Sequence, residues 1–207
     1  DYQNSLSYRL KSMEIVEKLM PENYNNRAII YLNIASDYRQ LKIPSKGIGY
    51  LNKTAGFFTK LSGRLKMEFY NEYYENYIST DNTVKAISML DSIQQGLSGF
   101  DLKKKKKLDF SLMLAKLRGN HALKNQQNPD EALKQFTSSL EFARKLENNQ
   151  EINESLYNIG KVFLEKKAYK AAISYLQEAS DSSASQSLKN LAFKISGSLA
   201  EAYTSTG

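Results

Sequence analysis

The feature that most constrains the fold of this 207-residue chain is a pair of small residues, Gly160 and Ala172, placed twelve positions apart in an apolar pattern. Apolar side chains recur every three or four positions through residues 155–180, which predicts two amphipathic helices that meet near residues 165–168. Glycine inside a helix costs about 1 kcal/mol relative to alanine. We infer that the missing side chain lets a second helix approach closely, with Ala172 as the matching small surface.

The same arrangement recurs three more times along the chain. The corresponding pairs, twelve or thirteen residues apart, are Ala35 with Gly47, Tyr74 with Ala86, and Gly119 with Ala132. Each second helix carries a large apolar residue four positions after its small one, namely Leu51, Leu90, Phe136 and Leu176. Each first helix carries an apolar or aromatic residue about three positions after its own, namely Tyr38, Tyr77, Ala122 and Phe163. Four antiparallel helical hairpins with a shared plan are therefore predicted.

This plan resembles the tetratricopeptide repeat (TPR), whose first helix carries a large-glycine-aromatic series and whose second carries alanine and phenylalanine. The resemblance covers about residues 23–206 and is weakest at 67–100, where Tyr74 stands in place of a small residue. It implies an all-α, right-handed α-α superhelix, or solenoid, of four to five TPR-like helical hairpins.

The repeat period is longer than that of the plain family. The steps between the small residues of successive second helices are 39, 46 and 40 residues, whereas the plain repeat has a period of about 34. Longer helices or longer loops between repeats must take up the difference. Such periods also overlap those of HEAT-type repeats, so the α-hairpin solenoid is predicted more firmly than its subtype.

We expect one TPR-like repeat domain over residues 1–207. It begins with half a repeat at 1–22, where an amphipathic helix with Leu6, Leu10, Met13, Val16 or Glu17, and Met20 near one face ends at Pro21. Hairpins are expected at about 23–62, 64–100, 102–148 and 151–182, followed by an unpaired terminal helix at 185–206. Because a solenoid end needs a cap, the apolar face of that helix, with Leu199 and Tyr203, is expected to be covered by later residues or used in association.

Residues 69–77 contain five aromatic rings. These rings form either a surface that stacks on a ligand or part of a packed core. When the hairpins are aligned, four of the rings fall on core positions of the 155–180 pattern. These are Tyr70, Tyr73, Tyr74 and Tyr77, on the positions of Leu156, Ile159, Gly160 and Phe163. Core packing, with the hydroxyl groups reaching the rim, is therefore favoured over an aromatic ligand cage, while Phe69 is less constrained.

Composition narrows the possible compartments and chemistry. The chain has no cysteine, which excludes disulfides, thiolate catalysis and cysteine-bound zinc, and fits either an oxidising or a reducing compartment. No apolar run approaches the length of a membrane span, and residues 1–10 lack the form of a signal peptide. Because the sequence starts without methionine, we expect a fragment of a longer protein.

No pattern of enzyme residues is present in the sequence. There is no phosphate-binding glycine-rich loop and no HExxH motif, and with His121 as the only histidine we expect neither catalysis nor a metal or cofactor site. A structural or surface role is favoured for His121. Carboxylate pairs such as Glu72 with Glu75, or Glu147 with Glu151, are expected to be ordinary solvated pairs.

Two basic features are candidate binding sites. The run Lys103–Lys107 holds much of the net charge of +7, and is either a solvated helix entry, which is favoured, or a patch for an acidic protein or anionic lipid; nucleic acid is not expected. The second feature is implied by the resemblance, since one TPR subgroup grips peptide carboxylates with lysine and asparagine from successive first helices. The matching residues are Lys116, Asn120, Asn158 and Lys194, while a further basic position of that subgroup is Ser198 here.

The function favoured by these features is a non-catalytic scaffold that binds a protein or peptide, expected to be acidic. Long-period repeats rich in Asn, Lys and Tyr resemble the repeat regions of bacterial membrane-anchored sensor kinases and related regulators, which implies a sensory or regulatory role and a periplasmic location, with the cytoplasm as the alternative. Self-association through the C-terminal helix is the second hypothesis. An enzyme of unrecognised chemistry is the third, and would require a deep pocket with clustered titratable groups.

Overall fold

The computed structural model describes residues 2–181 and 189–205, and the regular structure of these residues is helical. The helices are α1 (Tyr2–Leu19), α2 (Tyr24–Gln40), α3 (Pro44–Ala55), α4 (Gly63–Ile78), α5 (Thr83–Gly99), α6 (Lys104–Lys124), α7 (Pro129–Lys145), α8 (Asn149–Glu165), α9 (Tyr169–Asp181) and α10 (Lys189–Thr204). A short 3-10 turn, Phe58–Lys60, lies between α3 and α4. The first four residues of the expected terminal helix, 185–188, lie outside the described residues.

Capping side chains fix where five of the ten named helices begin. An asparagine or serine just before the helix accepts a hydrogen bond from the backbone N–H three residues later, which satisfies one of the free donors of the first turn. The capping residues are Asn23, Ser62, Asn82, Asn128 and Asn148. Pro44 and Pro129 occupy first positions of α3 and α7, where proline loses no hydrogen bond.

Each turn within a hairpin contains one residue in the left-handed conformation. These residues are Lys42, Asp81, Gln127 and Lys167, with φ between 49° and 64°. A left-handed residue after the end of a helix turns the chain away from the helix axis, so that the next helix can run back antiparallel. Glu147, in the turn between α7 and α8, has φ 53° as well, so the same turn conformation joins helices both within hairpins and between them.

The chain divides into two compact units at the boundary between Lys103 and Lys104. In the first unit, α1 packs on α2, α2 pairs with α3, and α4 pairs with α5 and also contacts α2 and α3. In the second unit, α6 pairs with α7, α8 pairs with α9, and α10 packs on α9. The predicted all-α class of TPR-like hairpins is confirmed, while a single domain over residues 1–207 stays a prediction.

Small residues lie where paired helices meet, as predicted. A Cβ atom added to Gly160 would lie 2.7 Å from Cγ of Leu176, and one added to Gly47 would lie 2.8 Å from the carbonyl oxygen of Ala35. In α6, a Cβ at Gly119 would lie 2.6 Å from the ring of Phe136. Real Cβ atoms do not approach other atoms so closely, so the helices could not pack at these distances if alanine replaced the glycines.

The aromatic residues of α4 belong to the core of the first unit, which confirms their predicted role. Tyr73 and Tyr74 are buried and Tyr77 is half-buried, and Tyr73 stacks on Tyr77 with ring centroids 5.3 Å apart. Burial raises the pKa of both Tyr73 and Tyr74 to about 12. Phe69, which the sequence left unplaced, is also buried and packs edge-on against Tyr73.

The first helix has the position expected of half a repeat. Leu6, Leu10 and Met13 are half-buried on the side that packs against α2. Met20, which was expected on the same face, follows the end of the helix and is exposed. None of the described helices is both long and apolar enough to cross a membrane.

Candidate functional site

A cleft of about 370 Å³ lies between α8 and α10 in the second unit. Both are first helices of the predicted repeats, which line the concave surface in the family that the sequence resembles. The residues that line it are Gln150, Glu154, Tyr157 and Asn158 on α8, and Asn190, Leu191 and Lys194 on α10. Polar side chains therefore dominate the walls, with Leu191 and the ring of Tyr157 as the apolar part.

The structure places two of the four predicted site residues together. Asn158 and Lys194 face each other across this cleft from neighbouring first helices. Lys116 is on α6, one first helix earlier, and reaches the cleft only through a carboxylate that lines it. Asn120 is half-buried on α6 and is not among the residues that line the cleft.

Lys116 is bound by two carboxylates of α8. Its Nζ atom lies 2.5 Å from Glu151 Oε2 and 2.6 Å from Glu154 Oε2. Burial alone would lower the pKa of Lys116, but the two hydrogen bonds and charges outweigh it, so the pKa is raised. Burial would likewise raise the pKa of Glu154, yet Lys116, with smaller contributions from Gln150 and Lys194, holds it below its usual value. Lys116 and Glu154 are therefore both charged at neutral pH.

The first unit contains an analogous link between successive first helices. Arg39 of α2 places its Nε atom 3.2 Å from Glu72 and its Nη1 atom 3.8 Å from Glu75, both on α4. Glu72 is mostly buried, and this burial raises its pKa in spite of Arg39. The expectation that Glu72 and Glu75 form an ordinary solvated pair therefore needs correction, since both contact a cation from the preceding repeat.

The cleft offers amide groups, one ammonium group and one carboxylate to a ligand. Gln150, Asn158 and Asn190 each provide donors and an acceptor, which suit a peptide backbone. Lys194 is exposed and has no carboxylate within salt-bridge distance in the described parts of the chain, whereas Glu154 is already paired with Lys116. The ammonium group of Lys194 is therefore the charge best placed to receive an anion.

Sequence reasoning missed most of the cleft walls, although a helical signal for them exists. Gln150 and Glu154 lie eight and four residues before Asn158 on the same face of α8, and Tyr157 lies three residues after Glu154. Likewise, Asn190 lies one turn before Lys194 on α10. Extending the two predicted residues along their helices would have found these four neighbours.

The remaining candidate residues lie apart from the cleft. His121 is buried in α6, its Nδ1 atom has no hydrogen-bond partner among the described residues, and burial lowers its pKa. Lys104 begins α6, and the exposed lysines around it include Lys106, whose Nζ atom lies 3.2 Å from Asp109. Within residues 2–181 and 189–205, no group of three or more His, Cys, Asp or Glu residues could hold a metal ion.

Comparison with known proteins identifies the repeat type in part of the second unit. Residues 112–184, about a third of the chain, match the sequence model of the tetratricopeptide repeat family. A comparison with curated proteins gives no significant match.

Two solved structures share the fold. The first is a Signal Transduction ATPase with Numerous Domains (STAND) protein with a tetratricopeptide repeat sensor from Pyrococcus horikoshii, with a TM-score of 0.62 and 19% identity. The match covers 98% of this chain but only 36% of that protein. The second is BtubC, also called BKLC, from P. vanneervenii, with a TM-score of 0.59, 14% identity, and coverage of 99% of this chain and 88% of that one.

Proposed function

Since residues 112–184 belong to tetratricopeptide repeats, we propose that this chain is a non-catalytic scaffold that binds a protein or peptide, as the regulatory part of a larger signalling protein. The chain spans about a third of the STAND protein to which it is similar, and that protein carries its repeats as a sensor. A sensor of this kind works by differential binding of a partner, and needs no reacting groups of its own.

The observation that carries this proposal is the polar cleft between α8 and α10. Lys194 is the cation that receives a carboxylate of the peptide, and Asn158 donates its amide hydrogens to the same group or to the peptide backbone. Lys116 contributes indirectly. It forms an ion pair with Glu154, and this pairing reduces the repulsion between the Glu154 carboxylate and an anionic ligand. Asn120, on α6, is placed to contact a peptide only if that peptide extends along the first helices beyond the cleft.

The cleft is tested with an acidic peptide, labelled with a fluorophore and titrated by fluorescence anisotropy. We expect Lys194→Ala to weaken binding about tenfold at low salt, since a charge-assisted hydrogen bond contributes about 1.5–3 kcal/mol. We expect Lys116→Ala to weaken binding in the same direction, because it leaves Glu151 and Glu154 unpaired beside the cleft. Both losses should shrink as salt is added.

The matched control is Lys189→Ala, which removes an exposed lysine of α10 that does not line the cleft. Its affinity should equal that of the unmodified chain. If Lys194→Ala and Lys189→Ala bind the peptide equally well, the cleft is not its site.

Self-association through α10 is a second candidate function, which the exposure of this helix favours. Phe193 is 83% exposed, and Tyr203 is half-exposed although its hydroxyl accepts a hydrogen bond from Gln177. Leu199 is half-buried against the core, so it is less available than expected from the sequence. If α10 associates, light scattering should show dimers that Phe193→Glu or Tyr203→Glu dissociates, and a monomer at all concentrations excludes this role.

We further propose that the repeats belong to the periplasmic part of a bacterial membrane-anchored regulator, with the cytoplasm as the alternative. The support is the resemblance in composition and repeat period to the repeat regions of sensor kinases. Sequencing the segments that flank these residues in the genome is the test. A membrane span followed by a kinase domain agrees with the proposal, whereas a cytoplasmic enzyme domain on both sides opposes it.

A further inference from the structure

The rotation of α1 about its own axis is fixed by polar contacts with α2. Arg9 Nη1 lies 2.7 Å from a carboxylate oxygen of Asp37, which is buried, and it also donates to the carbonyl oxygen of Asn33 at 2.9 Å. The Ser5 hydroxyl also donates a hydrogen bond to the buried Asp37 carboxylate, at 3.2 Å. Turning α1 would leave the Asp37 carboxylate buried without its cation, which is strongly unfavourable. The flank of α1 that lies about 100° round the helix from Arg9 is therefore held towards solvent.

That flank is apolar. Tyr8, Ile15 and Leu19 are 71%, 57% and 67% exposed, and their spacings of seven and four residues place them in one row along the helix. Ser12 lies in the same row, and its hydroxyl donates to the carbonyl oxygen of Tyr8 at 2.9 Å, so it turns back onto its own helix. The row, called the outer stripe below, is about three turns long and apolar except at Ser12.

The hairpin fold does not require an apolar outer stripe. The helix α7 packs on α8 in the way that α1 packs on α2, with an inward row of buried residues, Ala132, Phe136, Ser139 and Ala143. The outward positions of α7 that correspond to Tyr8, Ile15 and Leu19 are Lys134, Glu141 and Lys145, which are exposed and charged. The exposed apolar residues of α1 are therefore not needed for the packing of the hairpins.

Unpaired charge lies along only one edge of the outer stripe. Lys11 and Lys18 are exposed on that edge, two turns apart, and neither is ion-paired in the described parts of the chain. The other edge carries Ser5, which is uncharged, and Arg9, whose charge is paired with Asp37. Glu14 lies further round the helix, beyond the lysines. A ligand that covers the stripe therefore meets unpaired positive charge on one side only.

We propose that the outer stripe of α1 docks an amphipathic helix of a partner protein, whose apolar row is flanked by acidic residues. Tyr8, Ile15 and Leu19 have the spacing of the anchors that a helix inserts between apolar side chains of a partner, and Lys11 and Lys18 pair with the acidic flank. A second copy of α1 fits poorly, because an antiparallel pair brings the lysine edges of both copies together. A membrane surface would be bound better by cations on both edges.

The probes are two designed amphipathic helical peptides that share a leucine row and differ in the flanking residues, which are glutamate in one and lysine in the other. Isothermal titration calorimetry with the unmodified chain should show the glutamate peptide binding at least tenfold more tightly than the lysine peptide. Lys11→Glu with Lys18→Glu should reverse this order. A reversal of preference cannot arise from unfolding, so it separates docking from a structural effect.

The apolar part is tested with the triple variant Tyr8→Ser, Ile15→Ser and Leu19→Ser, which should abolish binding of the glutamate peptide. Because these side chains are exposed, helix content by circular dichroism should not change. The matched control is Val84→Ser, which removes an exposed apolar residue from α5 in the same unit and should bind the peptide normally. This surface is separate from the cleft between α8 and α10, so either site can fail alone.

Three results overturn the proposal. If both peptides bind with equal affinity, or if neither peptide binds, the charged edge does not select an acidic helix. Binding to phosphatidylglycerol vesicles that the triple variant loses, without peptide binding, assigns the stripe to a lipid surface. Dimers that the triple variant converts to monomers assign the stripe to a second copy of this chain.

Discussion

Replacing Phe136 by alanine is expected to lower the free energy of unfolding of the second unit by about 3–5 kcal/mol. The ring of Phe136 is fully buried and belongs to the core that α6 to α10 share. It also occupies the space that Gly119 leaves open on α6, since a Cβ there would lie 2.6 Å from the ring. The variant therefore loses apolar burial and gains a cavity that two facing helices cannot close.

Urea unfolding followed by circular dichroism measures this loss, and native-state hydrogen exchange of the α6 and α7 amides assigns it to the second unit. The control is Phe193→Ala on α10, at a concentration where the chain is monomeric. Because Phe193 is exposed, its removal should change stability by no more than about 0.5 kcal/mol. Similar losses in the two variants would show that Phe136 does not hold α6 and α7 together.

The fold could be predicted because its determinants are local. The spacing of twelve residues between Gly160 and Ala172 predicts a helix, a turn and a returning helix. In the structure, Gly160 packs against Leu176 on that returning helix. Likewise, Asn128 followed by Pro129 is a helix start that depends on no distant residue, and Asn128 caps α7 as expected. Periodicity and capping thus indicate these helices from residues that are close together in the sequence.

The candidate site was predicted less well, because it depends on the register between different repeats. Lys116 was expected to point at a ligand, but the packing of α6 against α8 puts Glu151 and Glu154 within reach of its flexible side chain. The loop lengths that set this register carry no periodic signal. Asn158 and Lys194 do line one cleft, since each lies on the matching face of its own first helix.

The outer stripe of α1 also escaped prediction, for a different reason. A search for one apolar face found Leu6, Leu10 and Met13, which pack towards α2. These residues are enough to predict the helix, so Ile15 and Leu19, which do not belong to that face, were not recognised as a second apolar row. Only the contacts that fix the rotation of the helix show that they form a second row.

Close approach of paired helices at small residues is tested most directly by two substitutions in α3, Gly47→Ala and Gly49→Ala. A Cβ at Gly47 would lie 2.7 Å from Asn76 Oδ1 and 2.8 Å from the backbone oxygen of Ala35, whereas one at Gly49 would meet no atom of the described residues within 4 Å. Alanine favours a helix over glycine by about 1 kcal/mol at either position. Both variants therefore gain the same helix propensity, and only Gly47→Ala adds a steric clash with α2.

The measurement is the urea unfolding of both variants beside the unmodified chain. We predict that Gly47→Ala lowers the free energy of unfolding by about 1–3 kcal/mol, because the backbone of α2 must move. Gly49→Ala should leave it unchanged or raise it by up to about 1 kcal/mol. If Gly47→Ala stabilises the chain as much as Gly49→Ala does, the helices do not meet at their small residues.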